Sequence, residues 1–115
     1  MKPLRIAVLG AGLIGRRHIE TIQAMPQAAE LVAVSDPVAD PAQFDLKGAA
    51  WFTGESQMLD QVKPEAVIVA TPNALHLDHG KLCCERGIHC LMEKPVTATI
   101  AEAAALVRMV AESGV

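Results

Sequence analysis

Three glycines follow the first apolar run of the sequence at a spacing that suits phosphate binding. They are Gly10, Gly12 and Gly15, in the pattern GxGxxG. Gly10 would allow a tight turn, Gly12 would let a diphosphate approach the backbone, and Gly15 would let a helix pack closely on a sheet. The N–H groups of Leu13 and Ile14 would then point from the helix N-terminus towards phosphates. Because the pattern follows a strand and opens a helix, we favour a dinucleotide-binding loop over a glycine-rich turn without a ligand.

An acidic residue ends the next apolar run. A carboxylate at Asp36 could accept hydrogen bonds from both hydroxyls of an adenosine ribose, and its alternative role is that of a turn residue before Pro37. The same carboxylate would repel a 2′-phosphate by about 4 kcal/mol at about 4 Å and an effective dielectric of 20. Since proline comes next, no arginine stands there to bind that phosphate. We therefore expect NAD as the cofactor, with NADP bound less well.

Two further motifs follow later apolar runs. The first contains Ala70, Thr71, Pro72, Asn73 and, three positions further on, His76. The second is Glu93-Lys94-Pro95. In open parallel sheets, ligands bind beyond the carboxyl ends of the strands, so both motifs should meet the glycine loop and Asp36 at one edge.

Together with His18, these motifs closely resemble the N-terminal domain of the Gfo/Idh/MocA family. That family is named for glucose–fructose oxidoreductase, inositol dehydrogenase and a rhizopine-catabolism protein. The resemblance covers essentially the whole chain, and its most specific part is Glu93-Lys94-Pro95 placed after Thr71-Pro72-Asn73. It implies a two-domain NAD(P)-dependent oxidoreductase that acts mostly on sugars, polyols and similar hydroxy compounds.

The resemblance implies a catalytic role for Lys94, which would reach both the nicotinamide side of the cofactor and the substrate hydroxyl. An ammonium there would stabilise the alkoxide that develops as hydride leaves. Without the flanking motif, a solvated loop lysine would be the preferred interpretation. Glu93 would contact the nicotinamide end, with a surface carboxylate as a nearly equal alternative. The Lys94–Pro95 bond is a candidate for the cis form.

The resemblance also assigns the residues after the fourth strand to the cofactor. Ala70 and the Thr71-Pro72-Asn73 motif would line the nicotinamide ribose and ring, and Asn73 could also cap the helix that follows. His76 would form a wall near the nicotinamide end and is not assigned as an acid or base. His18 lies on a buried helix stripe, which favours a packing role. The remaining histidines, His79 and His89, receive no functional assignment.

Short continuous apolar runs predict strands buried in a parallel sheet. They cover residues 4–9, 31–34, 50–52, 66–70 and 88–92. Segments with helical spacing lie between them. The first helix carries the stripe Gly15, His18, Ile19, Ile22 and Met25 and ends before Pro26. Shorter helices are expected at 42–47, 56–62 and 74–86. A capping box of Thr99 and Glu102 opens the last helix, which should bury Ile100, Ala103, Ala104, Val107 and Val110 and end at Gly114.

This alternation predicts an α/β fold with a doubly wound parallel sheet of Rossmann type, five visible strands and helices on both faces. A complete dinucleotide fold has six strands. We therefore expect residues 1–115 to be the NAD(P)-binding domain of a two-domain enzyme whose C-terminal substrate domain is absent. In the family, the other catalytic groups, typically an aspartate and a histidine, come from that second domain. No general base can be assigned within this chain.

Composition excludes several classes of protein. The chain has 115 residues, a net charge of −3 and no tyrosine, which argues against nucleic acid. Three cysteines without a CxxC pair fit neither a disulfide framework nor a metal site, so we expect reduced thiols and a cytoplasmic protein. No apolar run is long enough for a bilayer, and no signal peptide is visible. The intact enzyme would be a homo-oligomer through the missing domain.

Three functions remain open at this point. The leading one is an enzyme fragment that binds NAD and turns over nothing by itself. The alternative is a non-catalytic NAD-binding or sensing module, which has no need of Lys94 at the hydride-transfer end. A methyltransferase-like domain that binds S-adenosylmethionine is a third option, and Gly15 and the Thr71-Pro72-Asn73 motif argue against it.

Overall fold

The computed structural model describes residues 2–115, which form one five-stranded sheet flanked by helices. The strands are β1 (Leu4–Leu9), β2 (Ala29–Ser35), β3 (Ala50–Phe52), β4 (Ala66–Val69) and β5 (His89–Met92). Their order is β3-β2-β1-β4-β5, and every neighbouring pair is parallel. The chain therefore reverses its direction of winding between β1 and β4, where ligands of such sheets bind. The predicted doubly wound α/β fold is confirmed.

Four helices connect or follow the strands. They are α1 (Leu13–Gln23), α2 (Glu55–Val62), α3 (His76–Glu85) and α4 (Ile100–Ser113). Residues Gly15, Ile19 and Ile22 of the predicted first stripe are buried, whereas Met25 lies beyond α1 and is exposed. Among residues 2–115, no helix is long and apolar enough to cross a membrane.

The core consists of two apolar layers, one on each face of the sheet. Alternate residues of a strand point to opposite faces, so Leu9 and Val8 enter different layers. One layer contains Ala7, Leu9, Ala33, Val67 and Val69 from the sheet with Met58, Leu59, Cys83 and Ile88. The other contains Val8, Ala29, Leu31, Val34 and Ile68 from the sheet with Ala11, Ile19 and Ile22. Helices on both faces therefore hold the carboxyl ends of the strands in fixed positions.

The structure differs from the sequence prediction at two helices, in the extent of one and in the start of the other. The helix expected at 42–47 is only a 3₁₀ turn, Pro41–Gln43, because Phe44 is extended, with φ −126° and ψ 142°, and Lys47 adopts a left-handed φ of 49°. Asn73 does not cap the next helix with its side chain. It opens a 3₁₀ turn, Asn73–Leu75, that is closed by a hydrogen bond from the Leu75 N–H to the Pro72 carbonyl oxygen at 2.9 Å. Helix α3 then begins at His76 without a capping side chain.

The last helix is capped as predicted but buries a different face. Thr99 accepts a hydrogen bond from the Glu102 N–H at 3.1 Å, and Gly114 ends the helix with a φ of 80°. Ile100 and Val107 of the expected stripe are 89% and 68% exposed. Leu106 is buried instead, because α4 packs on α3, where Gly80 leaves room for that side chain.

Candidate functional site

A cavity of about 620 Å³ opens at the carboxyl ends of β1, β2 and β4. Its wall is formed by Leu9, Gly10, Gly12, Leu13, Ile14, Ser35, Asp36, Pro37, Val38, Glu55, Ala70, Thr71, Pro72, Leu75 and His79. The structure thus brings the glycine loop, Asp36 and the first residues after β4 together, as the motifs predict. The predicted site residues outside this wall are Gly15, Asn73, His76, Glu93 and Lys94.

Several residues of the cavity wall do not belong to any of the sequence motifs that predict the site. Ser35 and Glu55 stand where β2 ends and where α2 begins, and a search for polar residues at every strand end would have found both. His79 lies one turn into α3, so only the packing of that helix could place it. Val38 and Leu75 are exposed apolar residues, and nothing in their local sequence marks them for a ligand.

The three loop glycines have different reasons to be glycine. Gly10 has a φ of +95°, and an added Cβ would lie 2.6 Å from the carbonyl oxygen of Ala70. A Cβ at Gly15 would overlap the carbonyl oxygen of Gly10. At Gly12 a Cβ would meet nothing within 4 Å, and this residue lines the cavity. Packing of the chain therefore requires Gly10 and Gly15, whereas only a ligand can require Gly12.

The N-terminus of α1 points its free donors at the same cavity. Gly12 is the N-cap residue and provides no side chain to satisfy the first N–H groups of the helix. Leu13 and Ile14, which carry two of these groups, line the cavity wall. Uncapped N–H groups and the helix dipole together favour an anion at this position.

Asp36 is held by its own loop and by the glycine loop. Its Oδ2 accepts from the Ala11 N–H at 2.8 Å, and its Oδ1 accepts from Val38 and Ala39 at 2.8 and 2.7 Å. Partial burial by itself raises the pKa of this carboxyl, but the three backbone donors outweigh burial and leave the pKa below its usual value. Asp36 is therefore ionised at neutral pH. A carboxylate has roughly four acceptor directions, so a free one remains on Oδ2.

A polar chain of three residues crosses one wall of the cavity. The Thr71 hydroxyl lies 2.8 Å from Nδ1 of His79, and Nε2 of His79 lies 3.9 Å from Oε1 of Glu55. Burial lowers the pKa of His79, and the nearby Glu55 and Asp78 charges only partly oppose this effect. The ring is therefore neutral, and the Glu55 charge favours its single proton on Nε2. Nδ1 then accepts a hydrogen bond from the Thr71 hydroxyl.

His76 lies behind the cavity and connects two loops. Its ring is fully buried, with Nδ1 2.8 Å from the Pro95 carbonyl oxygen and Nε2 2.9 Å from the Thr71 carbonyl oxygen. The structure therefore places His76 between the motif after β4 and the motif after β5, and not on the cavity wall where the sequence put it.

The Glu93-Lys94-Pro95 motif stands at the same sheet edge, beside the cavity. The Glu93 N–H donates to the Val69 carbonyl oxygen at 3.0 Å, and Oε1 of Glu93 lies 3.6 Å from Nε2 of His18. Lys94 is exposed, and the Lys94–Pro95 bond is cis, as the sequence suggested. The cavity thus contains Asp36 but ends before Lys94, so it represents one half of the site that the motifs outline.

This geometry agrees with the comparison with known families. Residues 4–115 match the model of the Gfo/Idh/MocA family, which is described as an oxidoreductase family with an NAD-binding Rossmann fold. The chain belongs to this family. The family resemblance of the sequence motifs is therefore confirmed across residues 4–115.

Curated relatives in the family are dehydrogenases. The chain is 32% identical to scyllo-inositol 2-dehydrogenase (NAD(+)) of Bacillus subtilis, over 97% of the chain and 34% of that enzyme. It is 34% identical to D-glucoside 3-dehydrogenase of Escherichia coli, over 84% of the chain and 28% of that enzyme. The chain therefore spans about a third of the length of these relatives.

Solved structures of the family share the fold. The WlbA dehydrogenase from Bordetella pertussis, in complex with NADH and UDP-GlcNAcA, superposes with a TM-score of 0.89 at 29% identity, over 97% of the chain and 35% of that protein. The scyllo-inositol dehydrogenase from Lactobacillus casei, with bound NAD(H) and scyllo-inositol, superposes with a TM-score of 0.89 at 25% identity. This match covers 98% of the chain and 34% of that protein. Both structures contain the nicotinamide cofactor that the sequence motifs predict.

Proposed function

We propose that this Gfo/Idh/MocA chain is the NAD-binding domain of a dehydrogenase that transfers hydride between a nicotinamide cofactor and a sugar, polyol or similar hydroxy compound. The observation that carries the proposal is the open space at Gly12, between uncapped helix N–H groups and an ionised Asp36. The relatives named as inositol and glucoside dehydrogenases support the substrate class.

Each part of the site then has a separate task. The N–H groups of Leu13 and Ile14 bind the diphosphate, and the free acceptor direction of Asp36 binds a ribose hydroxyl. Bound NAD supplies the hydride acceptor. Lys94 holds its ammonium beside the reacting hydroxyl and stabilises the negative charge on that oxygen as the carbon loses hydride.

Asp36 also sets the choice between the two nicotinamide cofactors. Its carboxylate is ionised and rigidly held, so it cannot turn away from a 2′-phosphate without losing three backbone hydrogen bonds. We therefore propose NAD as the cofactor, with NADP bound at least about tenfold less tightly, since a few kcal/mol of repulsion separates them. A cytoplasmic location agrees with three unpaired cysteines. A homo-oligomer assembled through residues outside these 115 completes the proposal.

Titration calorimetry with NAD and NADP tests binding, and NADH formation with inositols and sugars tests turnover. We expect NAD to bind more tightly, and we expect no sustained NADH formation from the 115 residues alone. Equal dissociation constants would refute the role of Asp36. NAD binding with no turnover in any longer form of the protein would instead favour the sensing module.

A further inference from the structure

The cavity continues past Asp36 on the side away from Lys94. Pro37 and Val38, after β2, form one wall of this part, and Pro72 and Leu75, after β4, contribute to another. Such apolar walls suit a flat aromatic ring. In the proposed function Asp36 binds the adenosine ribose. The ring that lies in this part of the cavity is therefore the adenine base attached to that ribose.

The polar groups in this part of the wall are biased towards acceptors. The Glu55 carboxylate can only accept hydrogen bonds. The Thr71 hydroxyl uses its proton on Nδ1 of His79, so its remaining capacity is also for acceptance. The proton on Nε2 of His79 is directed at Glu55 by the carboxylate charge. The Ser35 hydroxyl can serve as donor or acceptor and adds no preference.

We propose that Glu55, with His79 and Thr71 in support, recognises the exocyclic amine of the adenine base. This proposal places Thr71 and Pro72 beside the adenosine half of the cofactor and not at the nicotinamide end, to which the family resemblance assigned them. The proposal rests on the dinucleotide binding proposed above and adds a specificity that the glycine loop and Asp36 do not provide. An exocyclic amine is a pure donor and matches a carboxylate. An exocyclic carbonyl at the same position, as in hypoxanthine, would bring a second acceptor against the carboxylate.

The preference should be measurable because the two bases differ only at the exocyclic group and in the proton that hypoxanthine carries on the neighbouring ring nitrogen. Sites that hydrogen-bond a particular group discriminate strongly against analogues that lack it, since a polar group of the site is left unpaired. Glu55 remains partly exposed to solvent, which reduces this penalty. We therefore expect NAD to bind about tenfold more tightly than nicotinamide hypoxanthine dinucleotide.

Titration calorimetry of the purified protein with these two dinucleotides tests the proposal directly. In the Glu55→Gln variant, the carboxamide can also donate, so the preference should fall to less than about threefold. Glu20→Gln, an exposed change of the same type on α1 away from the cavity, should keep the full preference. Thermal unfolding of both variants checks that the fold is retained.

Distinct outcomes separate the two levels of the proposal. If the unmodified protein binds both dinucleotides within twofold, or if Glu55→Gln keeps the preference, the base recognition is overturned while dinucleotide binding stands. If neither dinucleotide binds, the proposed function fails, and base recognition fails with it. A preference that is lost in Glu55→Gln and kept in Glu20→Gln supports the proposal.

Discussion

Replacement of Gly12 by alanine should weaken cofactor binding and leave the stability of the fold nearly unchanged. The added Cβ would meet no protein atom within 4 Å, and the Gly12 backbone, with φ −78° and ψ −159°, is accessible to alanine. Alanine is a poorer N-cap residue than glycine, which costs roughly 0.5–1 kcal/mol. Lower conformational entropy of the unfolded chain offsets about 0.4–1 kcal/mol of this cost. The free energy of unfolding should therefore hardly change, and Tm should stay within about 3 °C.

Cofactor binding should respond very differently. The methyl group would occupy the space through which a diphosphate approaches the N–H groups of Leu13 and Ile14. Loss of one or two hydrogen bonds to a charged group, at about 1.5–3 kcal/mol each, gives about 1.5–6 kcal/mol, and we expect about 2–4 kcal/mol because the diphosphate can shift to keep part of these bonds. Since 1.4 kcal/mol is a factor of ten, the dissociation constant for NAD should rise by roughly 30-fold to 1,000-fold.

Calorimetric titration with NAD and a thermal melt of the same Gly12→Ala sample measure both effects. The expected result is an unchanged melt and a loss of affinity of at least about 30-fold. If the variant binds NAD within threefold of the unmodified protein, the diphosphate does not pass over this residue. The reasoning would also fail if the variant unfolds, because the space at Gly12 would then be needed by the protein itself.

Further predictions concern the residues around this loop. Gly15→Ala should cost about 3 kcal/mol and lower Tm by more than about 10 °C in a thermal melt, because its Cβ would overlap the Gly10 carbonyl. His76→Leu should cost about 1–3 kcal/mol in urea unfolding, since a carbonyl oxygen loses its buried donor. The folded-state pKa of Asp36 is lowered, so its stabilisation is complete above a pH of about 3.9 and disappears as pH falls through the folded value. Acid unfolding of Asp36→Asn should lack that component. Lys94→Ala should change NAD affinity by less than about threefold in calorimetry and slow hydride transfer by about 100-fold or more in a kinetic assay of the active enzyme.

The sequence predicted the sheet well because each strand is short, apolar and buried on both faces. All five strands begin and end within two residues of their expected positions, and the largest difference is in β2, which begins at Ala29. The glycine loop and Asp36 were also predicted correctly in position, because their roles depend on local backbone geometry and on the end of a strand. Such features are determined by neighbouring residues along the chain.

The failures concern contacts between elements that are distant in the sequence. Periodicity alone placed Ile100 and Val107 on the buried face of the last helix, since both lie on its most apolar stripe. The buried face is set instead by the gap at Gly80 on α3, which accepts Leu106. Nothing in the local sequence of α4 contains this information.

The positions predicted for the two histidines of α3 differ from the structure for a similar reason. His76 was expected on the cavity wall and His79 was given no role, yet His79 lines the cavity and His76 lies behind it. They are three positions apart and therefore face neighbouring directions on the helix. Only the rotation of α3 against the sheet decides which one meets a ligand.

The distance between the glycine loop and Lys94 depends on the contacts that connect α1 and β1 to the end of β5. The visible side-chain link is the 3.6 Å contact of His18 with Glu93, but both groups are partly exposed, and such pairs contribute only about 0–1 kcal/mol. The backbone connects these parts more strongly, because β1 pairs with β4 and β4 pairs with β5. The Glu93 N–H continues this pairing with a hydrogen bond to the Val69 carbonyl oxygen at 3.0 Å. Loss of the side-chain pair should therefore leave the position of Lys94 nearly unchanged. The spacing between the proposed anion-binding and catalytic parts of the site is therefore a property of the sheet.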